Sequence, residues 1–399
     1  MTPRQPPGSP RLQALYHELE AGDTYALDAF WYEIRGKGAP LVEDIEGSGN
    51  EVLVTFLWRA NDSITNVFIF GGPAEQAPMT RLGDTDLWYR SYHIRSDARF
   101  TYELGPTNQP VPENPAGWDP NLAMWQTDPL NPEQCTYPHD PEGSFFGYTA
   151  SLVELPNALP QPWLKPTASI PAGKTDLVRY QSQLLNNTRR VWVYTPPAVA
   201  EPSDPYNLLI LFDGFVYSQV IPTATILDNL LAVDKIKPTV AVMIDPVDRA
   251  SELDGSQQFT TFLVDEFLPW IRECYPVTDA AVHTTIGGSS MGGLAALYTA
   301  LERPDVFGNV ISQSGAFWFG NPDNQDWFVA KVANEFQPSP EHLLSIYMDV
   351  GLYEPINLHI NRKMRDVLQQ KKMNIEYSEV SRTHEPLSWQ EGLMEVLSK

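Results

Sequence analysis

Cysteine is nearly absent: the 399 residues hold two, Cys135 and Cys274. Two cannot make the disulfide framework of a small secreted domain, and the compartment they suggest is reducing or indifferent to redox state. Positive charge is also scarce, with 27 lysines and arginines against 50 aspartates and glutamates and a formal net charge of −23. So acidic a chain repels a phosphate backbone, and nucleic acid is not an expected partner. No apolar run approaches the roughly eighteen residues of a membrane span. The first residues lack the uninterrupted apolar stretch and small-residue cleavage site of a secretory signal. Residues 1–10 are therefore expected to form a frayed tail and the protein to be cytoplasmic. The seven histidines make no H-E-x-x-H or H-x-H and the cysteines no C-x-x-C, so no metal site is expected. No Walker sequence or strand-linked G-x-G-x-x-G is present either, and no cofactor is expected.

What the chain does have is globular: 42% apolar and 19% charged residues, over a length that favours two domains. Of its 36 prolines, 14 fall between Pro106 and Pro171. The last five, Pro156, Pro160, Pro162, Pro166 and Pro171, bar both helix and inner strand, so residues 156–173 are expected to be a semi-rigid linker. Before it, residues 1–155 show short alternating strands: Glu51–Trp58, Thr65–Phe70, Leu87–Ile94 and Ala98–Leu104, with turn signals at Gly71-Gly72-Pro73 and Gly83-Asp84. That pattern predicts an immunoglobulin-like β-sandwich. After it, residues 174–399 alternate apolar runs (Val191–Tyr194, Leu208–Phe212, Thr239–Ile244, Thr284–Ile286, Val310–Ile311, Leu343–Val350) with helical segments. They predict an α/β domain with a doubly wound, mostly parallel sheet.

The strongest local signal is Gly288-Ser289-Ser290-Met291-Gly292, a G-x-S-x-G between an apolar strand and an Ala/Leu-rich helix. The spacing holds a serine on a strained strand-to-helix turn with its oxygen exposed, and the glycines let the backbone pass. Ser290 is thus a candidate nucleophile, which requires a base within hydrogen-bond reach. In α/β-hydrolase order the acid and histidine follow the serine. His342 precedes a strand and His359 lies inside a helix; His384, between a strand and the last helix, is the candidate base. For the acid, Glu354 in the loop after Val350 is favoured over Asp349, which lies within the strand. An oxyanion hole needs two backbone N–H groups. Met291 would supply one, and Phe215 or Gly214, in the turn after Leu208–Phe212, the other.

With these residues placed, the chain resembles the enterochelin (ferric enterobactin) esterases along nearly its whole length. The similar stretches are Arg189–Val193, Leu211–Gly214, Ile244–Leu253, Phe307–Trp318, Glu354-Pro355 with Asn361-Arg362, and His384 with Ser388-Trp389. In the first domain they are Val54–Arg59, Gly83–Trp88 and Thr127–Pro132. The resemblance implies an α/β-hydrolase domain that hydrolyses the esters of a tri-catecholate siderophore on a serine trilactone, iron-loaded or not, releasing iron inside the cell. It carries over Ser290 as nucleophile and His384 as base, with Arg249 at the substrate site and Glu252 behind it. From the residues alone, Arg249 reads as a surface ion pair with Glu252 at i+3. A ferric tri-catecholate is a trianion, so it calls for a local basic cluster; Arg249, Arg189, Arg190 and Arg382 are the candidates. Trp88 and Trp118 are candidate contacts from the sandwich. Two other functions suit the same domains: a carbohydrate-ester hydrolase removing acetyl or feruloyl groups, and a non-catalytic siderophore or glycan binder.

Overall fold

The computed structural model describes residues 8–109, 123–143, 145–197, 205–321, 323–338 and 343–399. The chain divides into two compact units, Met1–Leu159 and Pro160–Lys399. Two helices open the first unit, α1 (Pro10–Glu20) and α2 (Ala26–Lys37). Ser9 caps α1 by accepting the Leu12 N–H at 3.2 Å and is fully buried, so the frayed tail expected over residues 1–10 does not extend to it. The helices bury Leu12, Leu15, Phe30, Trp31 and Ile34 with Leu57, Leu82 and Leu87.

Nine strands follow among the described residues: β1 (Leu41–Asp44), β2 (Glu51–Arg59), β3 (Asn66–Gly71), β4 (Ala74–Pro78), β5 (Thr80–Arg81), β6 (Leu87–Arg95), β7 (Arg99–Thr107), β8 (Gln134–Tyr137) and β9 (Tyr148–Glu154). They form two antiparallel sheets, β1-β2-β6-β5 and β4-β3-β7-β9-β8. The sheets face each other: Phe56 of β2 meets Tyr102 of β7 with ring centroids 4.7 Å apart. Trp88 lies opposite Trp58 across β2 and β6 and is only 8% exposed. It is a core residue, not the exposed contact proposed for it; Trp118 lies outside the described residues.

The segment 160–173, expected to be a spacer, is fastened to the second unit. Asn229 donates to the carbonyls of Trp163 and Lys165 at 2.9 and 3.0 Å, and Asp228 accepts the Gly173 N–H at 2.8 Å. Eight strands then make one sheet: β10 (Lys174–Ser182), β11 (Asn187–Thr195), β12 (Asn207–Phe212), β13 (Thr239–Ile244), β14 (Thr284–Ser289), β15 (Asn309–Gln313), β16 (Ser345–Gly351) and β17 (Asn374–Val380). Their order is β10-β11-β13-β12-β14-β15-β16-β17. β10 and β11 are antiparallel to their neighbours, and the rest run parallel, as buried apolar strands joined through helices do. The helices are α3 (Thr223–Ala232), α4 (Arg249–Glu252), α5 (Gln257–Thr261), α6 (Leu268–Cys274), α7 (Met291–Glu302), α8 (Trp327–Glu335), α9 (Pro355–Gln370) and α10 (Pro386–Leu397). Because the strands are parallel, the loops after β12, β14, β15, β16 and β17 leave the sheet at the same edge. In such sheets that edge carries the site.

Candidate active site

Ser290 stands between β14 and α7 with φ +57° and ψ −120°, a conformation rarely taken by a residue with a side chain. The flanking glycines permit it. A Cβ on Gly288 would lie 2.8 Å from the Gly292 carbonyl carbon, and one on Gly293 2.8 Å from Ser312 Oγ. Backbone bonds pin the turn: the Ser290 N–H donates to the Gln313 carbonyl at 2.8 Å, and the Ala316 N–H to the Ser290 carbonyl at 2.9 Å.

His384, just after β17, presents Nε2 to Ser290 Oγ at 3.0 Å and Nδ1 to Glu354 Oε2 at 2.6 Å. A carboxylate can only accept, so the short contact assigns the proton to Nδ1 and leaves the Nε2 lone pair facing the serine hydroxyl. Trp389 packs edge-on against the imidazole, with centroids 5.1 Å apart. Glu354 is 4% exposed, and burial alone would raise its pKa. The hydrogen bond from His384, with the bonds from Asn357 and Ser314, outweighs burial and holds the carboxyl below its ordinary value. Asp349, its rival, is turned away: it faces the Tyr347 hydroxyl at 3.3 Å and Arg382 at 3.8 Å. Burial pushes its carboxyl up to about 6.

The turn after β12 corrects one expectation. The Phe215 N–H donates to Asp245 Oδ1 at 2.8 Å, so it is not available to an oxyanion. Of the two alternatives Gly214 is left, and it has to be glycine because a Cβ would meet the Met243 carbonyl oxygen at 2.6 Å. Its neighbour Asp213 has φ +56° and is gripped by Arg249 through bonds of 2.7 and 2.9 Å. Arg249 also reaches Met291 Sδ at 2.9 Å. The Met291 amide opens α7, where no intrahelical acceptor exists.

The arginines do not converge. Arg249 pairs with Asp213, not with Glu252 as the i+3 spacing suggests. Glu252 is bound bidentately by the buried Arg189, both bonds 2.9 Å. Arg190 reaches Asp245 at 2.5 Å, and Arg382 is buried among Asp349, Glu391 and Glu395. Only the Arg249 side chain is substantially exposed among these four, at 39%. His359 lies on α9 beside a cleft of about 690 Å³ that Trp318, Ile356 and Lys363 also line; His342 lies outside the described residues. Among the described residues, no cluster of three or more His, Cys, Asp or Glu could hold a metal ion.

Three further residues support Glu354: Ser314 and Trp318 lie in the Phe307–Trp318 stretch of the resemblance, and Asn357 carried no motif. Ser314, at φ +48°, donates to Glu354 Oε1 at 2.7 Å. Asn357 donates to Glu354 Oε2 at 3.0 Å, and Trp318 Nε1 donates to Asn357 Oδ1 at 2.8 Å. The spacing Glu354-x-x-Asn357 at the start of a helix is the one signal that could have singled out Asn357.

Residues 182–398 match the family described as putative esterase, and residues 53–164 match enterochelin esterase, N-terminal. The chain is 30% identical over 371 residues to the iron(III) enterobactin esterase of Escherichia coli strain K12, which covers 86% of this chain and 90% of that one. It is 29% identical to the iron(III) enterobactin esterase of Dickeya dadantii, over 92% and 91% of the two chains. The crystal structure of the Shigella flexneri enterobactin esterase in the presence of enterobactin is similar at a TM-score of 0.72 and 28% identity. That match covers 92% of this chain and 97% of the other.

Proposed function

Because the chain belongs to the enterochelin esterase family, we propose that it is a serine esterase opening the lactone esters of a catecholate siderophore. In this proposal the siderophore is iron-loaded, and the reaction takes place in the cytoplasm, where it frees the metal. The observation that carries the chemistry is the continuous chain of contacts from Ser290 Oγ through His384 to Glu354, at 3.0 and 2.6 Å.

Ser290 Oγ attacks the ester carbonyl as its proton passes to His384 Nε2. The Nδ1–H stays on histidine, facing Glu354, which offsets the imidazolium charge. The developing oxyanion is met by the Met291 and Gly214 N–H groups. His384 then returns the proton to the departing serine-backbone alkoxide, leaving an acyl-enzyme. Water repeats the sequence: its proton goes to Nε2, its oxygen to the carbonyl, and Ser290 leaves with its hydroxyl restored. Arg249 is the cation proposed to meet an anionic arm, with Glu252 behind it holding Arg189 and, through the Val247 N–H at 3.1 Å, the loop that leads into α4.

Incubation with iron-loaded and iron-free enterobactin, acetylated xylan and p-nitrophenyl acetate, followed by product analysis, tests the substrate. The trilactone should be cleaved to linear products and the xylan left intact; the reverse preference overturns the proposal. Ser290→Ala should lower kcat by about three orders of magnitude or more with binding retained.

A further inference from the structure

The Glu354 carboxylate accepts four hydrogen bonds, two on each oxygen. Ser314 Oγ and the Gly351 N–H reach Oε1 at 2.7 and 3.0 Å. His384 Nδ1 and Asn357 Nδ2 reach Oε2 at 2.6 and 3.0 Å. Four is about the capacity of a carboxylate. Asn357 differs from the other two supporting donors because it binds the same oxygen as the histidine, with Nδ2 also 3.0 Å from Nδ1.

An asparagine amide can face either way, and here the two orientations differ in kind. Turned over, it would set Oδ1 against Glu354 Oε2, oxygen against oxygen with no proton between them. Trp318 excludes that state, because indole Nε1–H can only donate and Asn357 Oδ1 is its acceptor at 2.8 Å. The tryptophan therefore orients the amide, and the amide orients the acid. From this geometry we infer that Asn357, held in register by Trp318, is a positioning residue for the Glu354–His384 pair. Its N–H fixes the carboxylate rotamer so that Oε2 meets Nδ1–H and the bare Nε2 faces Ser290. This rests on the assignment of Ser290, His384 and Glu354 as the reacting set, which the Ser290→Ala experiment tests separately.

Asn357→Leu keeps approximate volume and removes the donor. On p-nitrophenyl acetate it should lower kcat about tenfold with KM within twofold of the parent. Trp318→Phe should lower kcat about threefold by freeing the amide to turn. The double variant should be no slower than Asn357→Leu alone, because Trp318 acts on the pair through Asn357. Trp318 also lines the 690 Å³ cleft, so the small ester, which need not fill it, is the substrate for the comparison. If Asn357→Leu does not fold, the downfield proton resonance of the His384–Glu354 hydrogen bond decides the matter in Trp318→Phe, where it should shift or broaden. A kcat for Asn357→Leu within twofold of the parent, multiplicative losses in the double variant, or an unmoved resonance in Trp318→Phe would each overturn the inference.

Discussion

Asp349 and Glu354 stand five residues apart, both buried, and they show how the same carboxyl group is shifted in opposite directions. Asp349 has burial as its largest influence and is raised to about 6. Glu354 is as deeply buried but carries four donors and is lowered. Glu354→Gln should therefore lower kcat ten- to a thousand-fold, since a neutral amide cannot offset the imidazolium. Asp349→Asn should cost far less, and steady-state rates for the two variants check the assignment. The lowered pKa also has a stability consequence. A carboxyl depressed in the folded state contributes stability that is complete above its unfolded value, about 4.3, and is lost as pH falls through the lower folded value. The stability gap between the parent and Glu354→Gln, from urea titrations, should be constant well above about pH 4.3 and shrink as pH falls below that value; a gap that stays constant there would contradict the shift. Ser290 was legible because its geometry needs glycines at fixed offsets, and His384 because strand order limits where the base can come from. The engagement of the Phe215 amide by Asp245, thirty residues away, leaves no mark in local sequence. Nor does the union of Arg189 with Glu252 across sixty-three residues, which is why spacing suggested the wrong partner for Arg249.

At the scale of elements, the parallel strands were legible because burial on both faces makes them unbroken apolar runs. β10 was not, for it alternates exposed and half-buried residues along the sheet edge, and only pairing with β11 reveals it. The helix α2 has a weak local signal beside a stretch dominated by β patterning; its Phe30, Trp31 and Ile34 are apolar at helical spacing but follow no side-chain cap. The β14–α7 elbow yields a prediction of its own. Its tight crossing brings Gly288 against the Gly292 backbone, where a methyl group would sit 2.8 Å from a carbonyl carbon. Backbone cannot rotate aside as a side chain does, so Gly288→Ala should cost about 1–3 kcal/mol by overpacking. A fall in Tm accompanied by a loss of activity in the folded fraction is the expected outcome, and a variant with unchanged Tm would refute the crowding argument.

At the scale of the whole molecule, the net charge of −23 opposes the proposed substrate. A ferric tri-catecholate carries three negative charges, and three of the four candidate arginines are paired with carboxylates: Arg189 with Glu252, Arg190 with Asp245, Arg382 with Asp349, Glu391 and Glu395. Arg249, though exposed, shares its charge with Asp213. Long-range repulsion should then lower the encounter rate, the inverse of electrostatic steering. Salt removes such a barrier, because the screening length falls from about 30 Å at 0.01 M to about 8 Å at 0.15 M. Over that range KM for the iron-loaded siderophore should fall about three- to tenfold. The iron-free trilactone, whose catechol hydroxyls keep their protons at neutral pH, and p-nitrophenyl acetate should change less than twofold; steady-state kinetics at fixed pH on all three substrates provide the measurement. A KM for the iron complex that rises with salt would mean that local attraction at Arg249 outweighs the field of the whole chain. A KM indifferent to salt would mean that the trianion is not the form that binds.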